Sequence, residues 1–288
     1  MGRRTAGGLV VGVLLLLLAA CPTPTNDTSP DDTASAVYAA GYYSDGSKEV
    51  AAYWLDGVRS DLTSGVPDGD DARATDIVVV AGDVYVSGYS RDDSGIRTAL
   101  YWKNGQHVLL SSATNAEATG IVVENGDVYV SGTTFSASTA PDTVPVYWRN
   151  GSETSSPIEL RAAAGNAEAG RIAADAGIAL IAGHFNNGST AYTATLWTQA
   201  DGGAVSENDL SDGTVTEAFD IDVGSDGNYY LAGSFFNGSN FASAFWMVDS
   251  GTFSATRTDL YDSAWSKAFA IDEEAGTVYA AGFYRDNS

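Results

Sequence analysis

One short pattern recurs six times along the chain and limits its fold more than any other feature. Val37-Tyr38-Ala39-Ala40-Gly41 returns as Val84-Tyr85-Val86-Ser87-Gly88 and as Val128-Tyr129-Val130-Ser131-Gly132. More divergent copies are Ala179-Leu180-Ile181-Ala182-Gly183 and Tyr229-Tyr230-Leu231-Ala232-Gly233, and the last is Val278-Tyr279-Ala280-Ala281-Gly282. The glycines fall 47, 44, 51, 50 and 49 residues apart. An aromatic or leucine before tryptophan follows each of the first five copies: Tyr53-Trp54, Tyr101-Trp102, Tyr147-Trp148, Leu196-Trp197 and Phe245-Trp246. A period of this length is what repeated four-stranded blades produce.

Each unit reads strand by strand. An apolar run such as Ala74 to Val80 or Ala118 to Val123 meets Ala81-Gly82-Asp83 or Asn125-Gly126-Asp127. Asn-Gly and Asp-Gly steps supply the positive φ of tight hairpins, so the chain reverses there into the Val-Tyr strand. A second reversal falls at Asp45-Gly46, Asn187-Gly188 and Asn237-Gly238, and a third at Asp56-Gly57, Asn104-Gly105 and Asn150-Gly151. The fourth strand is short and ends in Asp61-Leu62, Leu109-Leu110, Glu159-Leu160, Asp209-Leu210 or Asp259-Leu260. Such a meander buries both faces only by packing on its neighbours around an axis, which also protects its edges. No 3.6-residue stripe persists and glycines number 32, so helices are excluded. The expected fold is therefore all-β: a β-propeller over 37–288, with five complete four-stranded repeats of about 44–51 residues and a partial sixth. The first group lacks an innermost strand of its own. Either the sequence is truncated within a six-bladed ring, or Ala268 to Asp272 closes a five-bladed ring on the N-terminal strands and leaves Val278 to Tyr284 redundant.

The first residues carry a different message. Arg3 and Arg4 precede a nearly unbroken apolar run, Leu9 to Ala20, too short for the ~20 residues of a membrane-spanning helix. That is the shape of a secretion signal over 1–20. The run ends in Leu18-Ala19-Ala20-Cys21, which resembles the lipobox of bacterial lipoproteins. The resemblance implies that Cys21, the chain's single cysteine, carries the lipid (diacylglyceryl and an acyl chain such as palmitate) and becomes the first mature residue. It also implies a membrane-anchored, cell-envelope location, periplasmic or surface-facing. Pro22, in place of the aspartate associated with inner-membrane retention, points to the outer membrane. A lone cysteine excludes an intrachain disulfide. The polar, proline-bearing stretch 21–36 is expected to be a disordered tether.

The repeats themselves, such as Ala118-Thr119-Gly120-Ile121 through Gly132 and Ala218-Phe219-Asp220-Ile221 through Gly233, resemble those of bacterial extracytoplasmic β-propellers. The likeness covers nearly all of 37–288 and speaks to fold rather than function. The paired glycines of kelch repeats are absent, since Tyr42, Tyr89 and Thr133 follow the motif glycine. Ser44-Asp45-Gly46-Ser47 has its aromatic partner too far downstream for a sialidase-type Asp box.

Strand direction places the loops after Val-Tyr-x-x-Gly and the crossovers into each innermost strand on one face, where binding residues are sought first. The residue before each strand-opening alanine is Arg73, Glu117, Glu168, Glu217 or Lys267, and a ring would set these around the channel mouth. Glu117, Glu168 and Glu217 form the candidate metal site, for calcium through oxygen ligands or for a cationic group. Pairing with Arg73 and Lys267 is the alternative. The hairpin tips are aromatic: Tyr42, Tyr43, Tyr89, His184, Phe185, Phe235 and Phe236 are candidates for stacking on sugar rings or filling a partner's pockets. The same residues serve equally as caps on blade packing. The five aligned tryptophans are assigned to the core.

Acids outnumber bases 37 to 14, for a net charge of −23. A surface of that sign repels phosphate backbones, so no nucleic acid partner is expected. The sequence has no Gly-x-Ser-x-Gly or His-Glu-x-x-His, and its two histidines occupy different repeat positions. No catalytic residue is assigned, and no cofactor beyond the calcium at the glutamates. The expected function is a membrane-anchored, non-enzymatic binding or scaffold module for a protein or glycan. The alternative is a glycan-active lyase or hydrolase using acids at the channel mouth.

Overall fold

The computed structural model describes residues 14–15, 36–110, 115–135, 143–150, 156–161, 166–186, 191–261 and 265–285. Cys21, the expected tether up to residue 35 and the expected Asn187-Gly188 turn lie outside them. The described residues form six antiparallel sheets, five four-stranded and the last two-stranded, each in sequential meander order. The second sheet shows the plan: Asp71–Val80, Asp83–Arg91, Arg97–Lys103 and Gln106–Leu109, from the axis outward. This is the all-β propeller that the repeat demands.

The turns reverse where their residues permit. Ala81 and Gly82 adopt φ of 53° and 86°, and Asn125 and Gly126 adopt 51° and 89°, the pair of positive values that matches the twist of a two-residue hairpin. At the third turn Asp56, Asn104 and Asn150 sit at φ 48–51°. Each side chain accepts the backbone N–H that opens the strand beside it, at Val37, Val84 and Val128.

The motif glycine has a steric cause. Opposite it the inner strand bulges: Gly88 pairs with Ala74, but Ser87 with Asp76, leaving Thr75 unpaired. The same slip recurs beside Gly132, Gly183, Gly233 and Gly282. A Cβ at Gly132 would lie 2.2 Å from the Glu117 carbonyl oxygen and 2.6 Å from the Trp148 ring. At Gly183 the corresponding distances, to the Glu168 carbonyl and the Trp197 ring, are both 2.3 Å. Only a residue without a side chain fits between the bulge and the tryptophan.

The core lies in the seams between sheets. Each seam joins the leucine ending one sheet to the tryptophan of the next: Leu62 with Trp102, Leu110 with Trp148, Leu160 with Trp197, Leu210 with Trp246. All eight are buried. Trp54, expected in the core with the others, is only half-buried: among the described residues no leucine of a preceding sheet covers it.

Of the two ways to close the ring, the inner strand Trp265–Glu274 takes neither a place in the first sheet nor its hydrogen bonds. It pairs with Thr277–Arg285 as a sixth sheet and packs on the fifth through Ala268 and Ile271 against Tyr230 and Ala232. In the full-length chain Leu14–Leu15 pairs with Ala39 and Ala40 on the inner edge of the first sheet, a place that cleavage of the expected signal over 1–20 would vacate.

Candidate functional site

Two residues beyond each strand-opening alanine, the repeat breaks its own symmetry. The residues there are Asp76, Gly120, Arg171, Asp220 and Ala270, each just before a seam isoleucine: Ile77, Ile121, Ile172, Ile221 or Ile271. The bulge turns this position toward the axis. Asp76 accepts a hydrogen bond from the Ile121 amide of the next sheet, and Asp220 does the same from Ile271. One sheet later the side chain disappears at Gly120. There Arg171 crosses back, placing its guanidinium 3.3 Å from the Asp76 carboxylate and donating to the Thr119 carbonyl. The bulged threonines tie the same sheets, Thr75 to the Ala118 carbonyl and Thr119 to Ala169 and Gly170.

Asp76, Arg171 and Asp220 line a cavity of about 610 Å³ on the axis. Its walls come from five inner strands, with Ile77, Val78, Ile121, Val122, Ala173 and Ile221 among the lining, and from Ala36–Val37 and Tyr279–Ala281 where the first and sixth sheets approach. Asp222, Asp272 and Glu274 also line it. Burial pushes the Asp220 carboxyl up to about 7 against the pull of Arg171. Burial raises Asp76 too, again opposed by Arg171. The sequence reading missed Asp76, Arg171 and Asp220. Unlike residues at an otherwise repeated position were the signal that marks them.

The predicted channel-mouth ring exists as a register. Arg73, Glu117, Glu168, Glu217 and Lys267 each pair opposite the residue after the motif glycine. The glutamates, however, have separate partners. Glu217 pairs with Lys267 and accepts from Ser234, Glu117 lies 3.5 Å from Arg97, and Glu168 lies 3.9 Å from His184. Arg73 is held by Glu49. Among the described residues, no group of three or more His, Cys, Asp or Glu is arranged to hold a metal ion. Burial raises Glu117, and Glu168 adds to that. Burial lowers His184, against the pull of Glu168 and Glu217.

The aromatic tips are largely taken up by packing. Tyr89, His184, Phe185 and Phe235 are buried, which removes them as stacking surfaces. Arginines cover the rings: Arg161 lies 3.6 Å from Phe185, Arg257 3.9 Å from Phe235 and Arg97 5.5 Å from Tyr89. Tyr42 and Tyr43 are half-buried beneath Arg73 and Arg59. Phe236, 36% exposed, is the tip presented to solvent.

The fold and its axial cavity define a propeller with an internal pocket. No family model and no curated protein matches the chain. Among solved structures it is similar to a mannose phosphorylase from Leishmania mexicana, with 10% identity over 77% of this chain and 82% of that one and a TM-score of 0.41.

Proposed function

We propose that this chain is a non-enzymatic binding propeller, held at the cell envelope by lipid on Cys21, whose ligand occupies the central channel. The observation that carries this reading is the axial cavity. Its size suits a small molecule, and its walls are mostly aliphatic with a minority of polar groups among them, the usual make-up of a ligand pocket. The lipobox at 18–21 supports the anchor.

Two measurements test the halves separately. Cys21→Ser should abolish acyl labelling and move the protein out of the membrane fraction; unchanged labelling would overturn the anchor. A melting-temperature screen of small molecules and oligosaccharides should yield ligands whose stabilisation is lost on filling the cavity at Ala173→Phe. Stabilisation that survives Ala173→Phe would place binding elsewhere.

A second reading, a glycan-active hydrolase or lyase, draws support from Asp220, a buried carboxyl held near neutrality as a general acid requires. Turnover of a polysaccharide panel that Asp220→Asn abolishes would replace the binding reading.

A further inference from the structure

The charges lining the cavity do not balance. Arg171 is its one basic group among the described lining residues, and it lies closest to Asp76. Asp220 is 7% exposed and receives the Ile271 amide, and among the described residues it forms no salt bridge. Beside it on the same strand, Asp222 accepts the Glu273 amide of the sixth sheet. Asp272 and Glu274 follow along the neighbouring wall. The acids crowd one another: burial raises Asp272, and the charges of Asp222, Glu274 and Glu273 raise it further. Tyr279 stands beside Asp272 on the sixth sheet, and the rest of the lining is aliphatic, much of it from the inner strands. The pocket thus combines carboxylates gathered on the fifth and sixth sheets with aliphatic surface contributed by each of the five inner strands.

We infer that the cavity takes an organic cation, its ammonium group set against Asp220, Asp222 and Asp272 and its apolar body against the inner-strand aliphatic wall. The inference rests on the reading of the channel as a ligand cavity and adds the chemical class. A cation relieves the repulsion among the acids, and an ammonium group can donate charge-assisted hydrogen bonds to their carboxylate oxygens. An anion would meet four acids and a single arginine already engaged by Asp76 and the Thr119 carbonyl. A hydrated metal ion would leave the aliphatic wall unused.

The test uses three probes of one shape on the full chain at pH 8: 4-phenylbutylammonium, 4-phenylbutanol and 4-phenylbutyrate, measured by calorimetry. The ammonium is expected to bind at least tenfold more tightly than the alcohol, with the carboxylate weakest. Asp220→Asn should remove that preference while leaving the chain folded, since asparagine still offers an oxygen to the Ile271 amide. Asp272→Asn, at an exposed position, should weaken the ammonium severalfold and guards against a folding defect at Asp220. Equal binding of ammonium and alcohol, abolished by Ala173→Phe, would overturn the cation assignment and leave the channel a ligand cavity. Binding of no probe, or binding indifferent to Ala173→Phe, would overturn both.

Discussion

The four inner seams and the two ends of the array use the same residues to different effect. Trp102, Trp148, Trp197 and Trp246 are no more than 1% exposed, while Trp54, in the same register, is half-buried. Leu62, Leu110, Leu160 and Leu210 are buried, whereas Leu260 is 44% exposed. Among the described residues the sixth sheet has no outer strands to cover Leu260, and no leucine stands behind Trp54 in the first. Phe283 and Tyr284 are likewise exposed, at 40% and 66%. Burial here belongs to the seam and not to the repeat.

The sharpest way to break the comparison is to truncate the same residue in both places. Trp197→Ala is expected to cost about 3–5 kcal/mol in denaturant melts, for lost contacts and the cavity left behind, and Trp54→Ala only about 1–2 kcal/mol. Equal losses would mean that the first sheet is sealed in solution.

Next in size is the carboxylate joining the fifth sheet to the sixth. Asp220 has an ordinary value of 3.8 and stands at about 7 in the fold. Between those values the folded chain keeps a proton that the unfolded chain has released, so stability falls as pH rises through the window and levels off above it. Asp220→Asn removes this slope. The variant should match the parent near pH 4 and exceed it at pH 8 by up to on the order of 4 kcal/mol. A variant less stable at both pH values would show that the charged form is needed to hold the seam.

Gly183→Ala drives a methyl group into the Glu168 carbonyl and Trp197, and about 3 kcal/mol is expected from overpacking. Gly105→Ala meets nothing within 4 Å and strains only a φ of 79°, for about 1 kcal/mol. The smallest contrast is expected at the third turns. Asn150→Ala and Asp56→Ala each lose one acceptor for a strand-opening amide, and each should cost about 1 kcal/mol. Parity there, beside disparity at the tryptophans, would separate what a turn holds locally from what a seam holds.

The same division explains what was legible beforehand. Strand order, the Asn-Gly and Asp-Gly reversals and the four buried tryptophans follow from local chemistry repeated at a period, and all were visible in the sequence. The channel mouth was legible as a register but not as a set of partners. Arg97 reaches Glu117 from a third strand, and Glu49 reaches Arg73 from the neighbouring sheet. Asp76, Arg171 and Asp220 were hidden for another reason. Each stands among apolar repeats as an ordinary strand residue, and only the bulge opposite the motif glycine turns it to the axis.

The sixth sheet carries a kinetic consequence. In an array whose units touch mainly their neighbours, a terminal unit opens most readily, with a free energy well below that of global unfolding. Ala270 to Asp272 and Tyr279 to Ala281 belong to that unit and also form one wall of the cavity. On the proposed reading of the channel as a ligand site, the breathing of this hairpin would set how fast a guest enters and leaves. Amide exchange from Ile271 to Ala281 should be the fastest among the inner strands of the empty protein, and it should slow in step with the residence time of whatever fills the channel.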